Sequence, residues 1–181
     1  MTALQTLVLS LPARDSTIRM RVWRALKEAG CGVLRDGVYV LPAAAAGGTV
    51  LAAMEAEVRA AGGFAMRLEL RTGSAEQGAQ LRALFERGAG YGALVKEIGA
   101  AQGALPRLGA RKAQSALKRL RRAYERLAGI DFFPGQAKRQ AGEALAGLER
   151  RLRKVSDTVE KVWVDPRCGG SYVQWQMRPP T

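Results

Sequence analysis

The feature that most constrains this chain is a change of hydrophobic period at Thr72-Gly73. Before it, apolar residues come in short runs and two-residue alternations, interrupted twice by a helical spacing. After it, every apolar pattern is helical as far as about residue 160. The two periods are those of strand and helix, so the chain predicts an α+β fold: a mixed unit over 1–73, a helical region over 74–163 and an irregular tail over 164–181.

Within the first unit, Leu4 to Leu11 is a nearly continuous apolar run, as in a strand buried on both faces, and Pro12 ends it. Ile18, Val22, Ala25, Leu26 and Ala29 then fall on one stripe of a helix entered through Asp15 or Ser16 and closed by Gly30. Val33-Leu34 and Val38 to Leu41 flank Arg35-Asp36-Gly37, a tight-turn signal between apolar runs, which predicts a hairpin. A second helix is expected from a Thr49 cap to a Gly62 stop, with Leu51, Met54, Val58 and Ala61 buried. Phe64, Met66, Leu68 and Leu70 alternate with Ala65, Arg67, Glu69 and Arg71 as a half-buried strand would. The order β-α-β-β-α-β is the ferredoxin-like split βαβ, with both helices on one face of a four-stranded sheet.

In the helical region, Leu81, Leu84 and Phe85 mark a short helix, and Tyr91, Leu94, Val95 and Ile98 a second beyond a Gly88/Gly90 break. After Pro106, a longer helix from about Ala110 to Leu127 carries Leu117, Leu120, Tyr124 and Leu127. Leu145, Leu148, Leu152, Val155, Val159 and Val162 keep a strict three-four spacing on the next. The short apolar turn Gly129 to Gly135 between them predicts an antiparallel helical hairpin.

Composition bounds the chemistry. The chain has no histidine, so the usual general base and commonest metal ligand are missing, and only carboxylate-based catalysis stays open. Its two cysteines, Cys31 and Cys168, form no CxxC pair, which predicts neither a disulfide framework nor a thiolate metal site and points to the cytoplasm. No run approaches the roughly 20 apolar residues that span a bilayer, and no signal peptide is visible. No cofactor is expected.

Charge points to the partner. Twenty-nine Lys and Arg against 16 Asp and Glu give +13, a field that favours a polyanion through counterion release. Residues 1–73 hold nine basic and six acidic residues, whereas 74–181 hold twenty and ten, so the helical region carries the excess. In and just before the Ala110 helix, Arg107, Arg111, Lys112, Lys118, Arg119, Arg121, Arg122 and Arg126 face only Glu125, and Lys138, Arg139, Arg150, Arg151, Arg153 and Lys154 repeat the theme. The first helix carries Arg19, Arg21, Arg24 and Lys27 around Trp23, with Arg14 before it, an arrangement suited to gripping a backbone and stacking on a base or, equally, to packing on the helical region. The candidate DNA-binding residues are therefore Arg14, Arg19, Arg21, Arg24, Arg111, Lys112, Lys118, Arg119, Arg121 and Arg122. Such a face also serves plain solubility in an arginine-rich proteome. Asp15 stands where a metal-dependent nuclease keeps an aspartate, although an N-cap uses one there too. Asp131 reads as a turn cap, and Cys31 as a small buried hydrophobe.

The residues from Leu11-Pro12 through Trp23-Arg24 to Gly30, Val33 to Pro42 around Arg35-Asp36-Gly37, and Ile130-Asp131-Phe132-Phe133-Pro134-Gly135 resemble the N-terminal domain of the chromate-resistance protein ChrB. The Arg35 to Tyr39 stretch and the helix before it are also similar to the central domain of PaaX-type repressors, itself like a small ferredoxin-like nuclease subunit of CRISPR spacer acquisition. The resemblance implies a bacterial regulator acting on the promoter of a chromate-resistance operon. Longer family members continue into a second domain, so any sensing of chromate is expected from a separate domain or protein. Three readings follow: a non-enzymatic DNA-binding regulator; a metal-dependent nuclease using Asp15; and an interaction module whose hairpin docks a partner or a second copy, giving a homodimer.

Overall fold

The computed structural model describes residues 3–12, 16–45 and 48–162, with side chains as far as Lys154. Four strands, β1 (Leu4–Ser10), β2 (Gly32–Arg35), β3 (Val38–Pro42) and β4 (Phe64–Leu70), form one antiparallel sheet in the order β2-β3-β1-β4. Helices α1 (Ser16–Glu28) and α2 (Gly48–Ala60) pack over one face, completing the ferredoxin-like unit the periodicity predicts. Leu7, Val22, Leu26, Leu41, Leu51 and Val58 are its fully buried centre. Turn chemistry sets the register. Gly37 takes φ +77° at the tip of the β2–β3 hairpin and its carbonyl accepts from Leu9 N–H at 2.7 Å, fixing the hairpin beside β1.

Three expectations shift. α2 begins at Gly48, so Thr49 is already helical rather than the cap before it; the far end is as expected, with Gly62 at φ +75°. β1 is enclosed on both faces only at Leu4, Thr6 and Leu7, and Ser10 is exposed. The larger correction concerns β4. Its apolar row does not face the helices: Ala65 is buried there, Arg67 pairs with Glu55 of α2, and Phe64, Met66 and Leu68 stand 54%, 42% and 49% exposed on the opposite face. Alternation identified the two sides of the strand, but which side meets α2 follows from the crossover and could not be read from the period.

That opposite face is covered at one end only. Ser74 caps α3 (Ala75–Ala83) by accepting from Gln77 N–H at 3.2 Å, and Leu81 and Phe85 close over Leu4, Val40 and Leu70. The chain then builds a three-helix bundle from α4 (Gly88–Ala104), α5 (Ala110–Gly129) and α6 (Gln136–Val162). The expected α5–α6 hairpin is present, with α4 packed against both members. Gly88 and Gly90, expected as a break, are both helical. A Cβ on Gly90 would lie 3.0 Å from Leu127, so its absence lets α4 approach α5. Leu145, Leu148 and Leu152 supply α6's buried seam, and the side chains of Val155, Val159 and Val162 lie outside the described residues.

One turn fastens bundle to sheet. Phe132 and Phe133, between α5 and α6, each meet Phe85 edge-on with ring centroids 5.8 Å apart, and Phe132 also joins the core beneath α1. Gly30 leaves the space: it adopts φ +78°, and a Cβ there would lie 2.7 Å from the Cβ of Ile130. Its carbonyl accepts from Arg87 Nη2 at 3.0 Å. Asp131 is no simple turn cap, since its carboxylate accepts from the buried Tyr91 hydroxyl at 3.0 Å. Burial, then that carboxylate, pushes the Tyr91 phenol well above its ordinary range, so it stays a donor at any physiological pH.

Gly30→Ala combines a strained φ with a clash at the fastening turn, whereas Gly62→Ala meets the same φ penalty with nothing within 4 Å. Urea unfolding is expected to show a loss of about 1 kcal/mol for Gly62→Ala and ~2–4 kcal/mol for Gly30→Ala. Equal losses would show that the turn yields without cost.

Candidate nucleic-acid interface

The candidate cations on α1 do not form one stripe. Arg14 and Asp15 lie outside the described residues. Arg19 turns back to the carbonyl of Pro12, donating through Nη2 at 3.2 Å. Arg21 points the other way and pairs with Glu57 of α2 at 2.8 Å. Arg24 is exposed between them, and Lys27 Nζ sits 4.5 Å above the Trp23 ring. Trp23, 40% exposed, lines a groove with Met20, Leu9, Leu11, Tyr39 and the Asp36-Gly37 turn rather than packing on the bundle.

On α5 the cations separate by direction. At about 100° per residue the buried Ala113 and Leu120 define the inner side, and Arg111, Lys118 and Arg122 fall within about 40° of one another on the outer side, with Arg126 close by. Arg119 and Arg121 flank that stripe and are tied down, Arg119 to Glu97 of α4 at 2.8 Å and Arg121 to Glu149 of α6. Glu149 holds the Arg121 guanidinium above its ordinary value, though both partners are accessible to water. Among the described residues Arg111, Lys112, Lys118, Arg122 and Arg126 have no carboxylate partner. The structure thus gathers three of the six α5 candidates, Arg111, Lys118 and Arg122, into one row without ion-pair partners and with Glu125 as the one acid beside it, leaves Lys112 at its side, and spends Arg119 and Arg121 on the bundle.

The row has a usable length. From Arg111 to Arg122 it rises roughly 16 Å along the helix axis, which is longer than the ~12 Å width of a major groove. Exposed cations in such a row make no commitment to a base sequence. Arg150 and Arg151, expected only as part of a second basic run, line a groove of about 640 Å³ between α4 and α6 together with Gln102, Gln140 and Glu143 among others. Its members lie on two helices 40 residues apart, so only packing brings them together. Among the described residues no three His, Cys, Asp or Glu side chains are placed to hold a metal ion, and no helix is long and apolar enough to cross a membrane.

A ferredoxin-like sheet clamped by an aromatic turn to a basic three-helix bundle defines an α+β protein with an exposed cationic helix. The family described as "Protein ChrB, N-terminal" matches residues 19–165, and the chain belongs to that family. It is 32% identical over 140 residues to "Protein ChrB" of Cupriavidus metallidurans, an alignment covering 77% of this chain and 43% of that protein, so the chain spans less than half of its relative's length. No solved structure matches.

Cys31, at the mouth of β2, is half-buried, and burial pushes its thiol up from 9.0 to about 11. A folded thiol that keeps its proton where the unfolded one has lost it stabilises the fold below pH 9 and loses that contribution as pH rises from 9 to 11. Peptide-resolved iodoacetamide labelling at pH 8 should therefore be slow at Cys31 in the native protein and fast in urea. Equal rates would show an open thiol.

Proposed function

We propose that this chain is the DNA-contacting part of a regulator in a bacterial chromate-resistance system, a cytoplasmic binding module with no chemistry of its own. The observation that carries the reading is the partition of charge on α5. Arg119 and Arg121 are matched by carboxylates of neighbouring helices, while Arg111, Lys118 and Arg122 are left together facing solvent. A helix evolved only for solubility gains nothing from concentrating unmatched cations, which repel one another; a phosphate backbone relieves that repulsion.

Membership of the ChrB N-terminal family supports the chromate-resistance setting. The contacts are of the kind that position a protein on DNA, with sequence preference to come from elsewhere, Trp23 and Arg24 on α1 being the nearest candidates. Chromate would be sensed by a further domain or a separate protein.

Anisotropy titrations of duplex DNA from the gene's own upstream region test the reading. Affinity is expected to fall with salt at a log-log slope on the order of −4 to −7, as for about five to eight phosphates. Arg111→Ala/Lys118→Ala/Arg122→Ala should flatten that slope by about 3 units and leave the melting temperature nearly unchanged. Arg119→Ala/Arg121→Ala should cost stability while moving the slope less. Binding that ignores salt, or a triple variant with the parent slope, would remove α5 from the interface.

A further inference from the structure

The face of the sheet that α3 leaves open carries an uncharged row, Phe64, Met66 and Leu68, on β4, flanked by half-exposed Val8 on β1. β4 is also an edge strand, the last in the order β2-β3-β1-β4. Its outward backbone can be assigned. Leu9 N–H donates to Gly37 O on the β3 side, so the even-numbered residues of β1 turn their N–H and C=O toward β4. They are opposite the even-numbered residues of β4, Thr6 to Leu68 and Val8 to Met66, which leaves Ala65, Arg67 and Glu69 pointing their backbone groups away from the sheet. The Ala65 carbonyl confirms the direction, since Arg59 Nε reaches it from α2 at 2.9 Å. Arg67 and Glu69 offer open donors and acceptors. β4 runs seven residues with no proline and no bulge, none of the devices that usually blunt an edge apart from its charges.

Those charges select a partner. We propose that β4 is the docking edge for a second copy of this chain, paired antiparallel about a two-fold axis at Leu68 so that the two sheets become one of eight strands. In this register Leu68 faces Leu68 of the second copy, Met66 faces its Leu70, and the apolar rows meet on one face. On the other face Arg67 falls opposite Glu69 and Glu69 opposite Arg67, opposite charges at both positions. Moving the axis to Arg67 would place two guanidinium groups opposite one another, so a neighbouring register is penalised. The complementarity is of β4 with itself, which is what an isologous contact requires. For a chain of net charge +13, a second copy meets less repulsion at a face like this, where the surface is apolar and opposite charges fall across from one another.

Sedimentation velocity on the full chain, from about 1 to 100 μM, should show a concentration-dependent monomer–dimer equilibrium. Leu68→Lys alters a side chain already half in water and should leave the circular dichroism unchanged while giving a monomer throughout. Arg67→Glu and Glu69→Arg each create two like-charge pairs across the axis, and each should weaken the dimer about tenfold or more. The double exchange Arg67→Glu/Glu69→Arg restores opposite charges and should restore the dimer. Because Arg67 also pairs with Glu55 and Glu69 with Arg71 inside each chain, a cross-link provides a reading independent of those ion pairs. With Cys31→Ala and Cys168→Ser in place, Leu68→Cys should form an intermolecular disulfide under mild oxidation and Met66→Cys should not. A monomer at all concentrations, a dimer indifferent to Leu68→Lys, or cross-linking at Met66 in preference to Leu68 would each overturn the proposal.

Discussion

The molecule depends on one close approach, that of the Ile130 to Phe133 turn to the end of α1. Two rings from this turn grip Phe85, and Phe132 reaches past them into the core of the sheet. A side chain on Gly30 would close that space, and Arg87 and Tyr91 add hydrogen bonds to Gly30 and Asp131 around it. Truncating Phe85, the buried ring at the centre of this contact, costs ~3–5 kcal/mol, a large share of what holds a domain of this size together. Because the turn belongs to the bundle and the pocket to the sheet, the cationic helix is held in a set orientation relative to α1.

The same packing decides which charges stay available. The carboxylates that tie down Arg119 and Arg121 are on α4 and α6, more than 20 residues away along the chain. Neither ion pair is worth much on its own at the surface. Their effect is selective: they remove two cations from the outer field of α5 and leave the row at Arg111, Lys118 and Arg122 to define it.

Much of this was legible in the sequence, and the gaps have a common cause. The hairpin at Asp36-Gly37, the two covering helices and the seam of α6 are local or periodic features, so residue spacing reports them directly. The spacing of Arg111, Lys118 and Arg122 likewise identifies one side of a helix. What spacing cannot supply is the identity of the neighbour on that side. For this reason the Phe64, Met66 and Leu68 row could be recognised as one face of a strand without revealing that α2 covers the other. Arg21 looked like part of a basic stripe until α2 brought Glu57 beside it. Asp131 looked like a turn residue because its partner, Tyr91, is 40 positions earlier.

The length of α6 has a mechanical consequence. Its 27 residues extend about 40 Å from a base held by the aromatic turn. Because Ala141, Leu145, Leu148 and Leu152 seat that length in the bundle core, α6 cannot tilt at its base alone; any tilt has to carry α4 and α5 with it as one block.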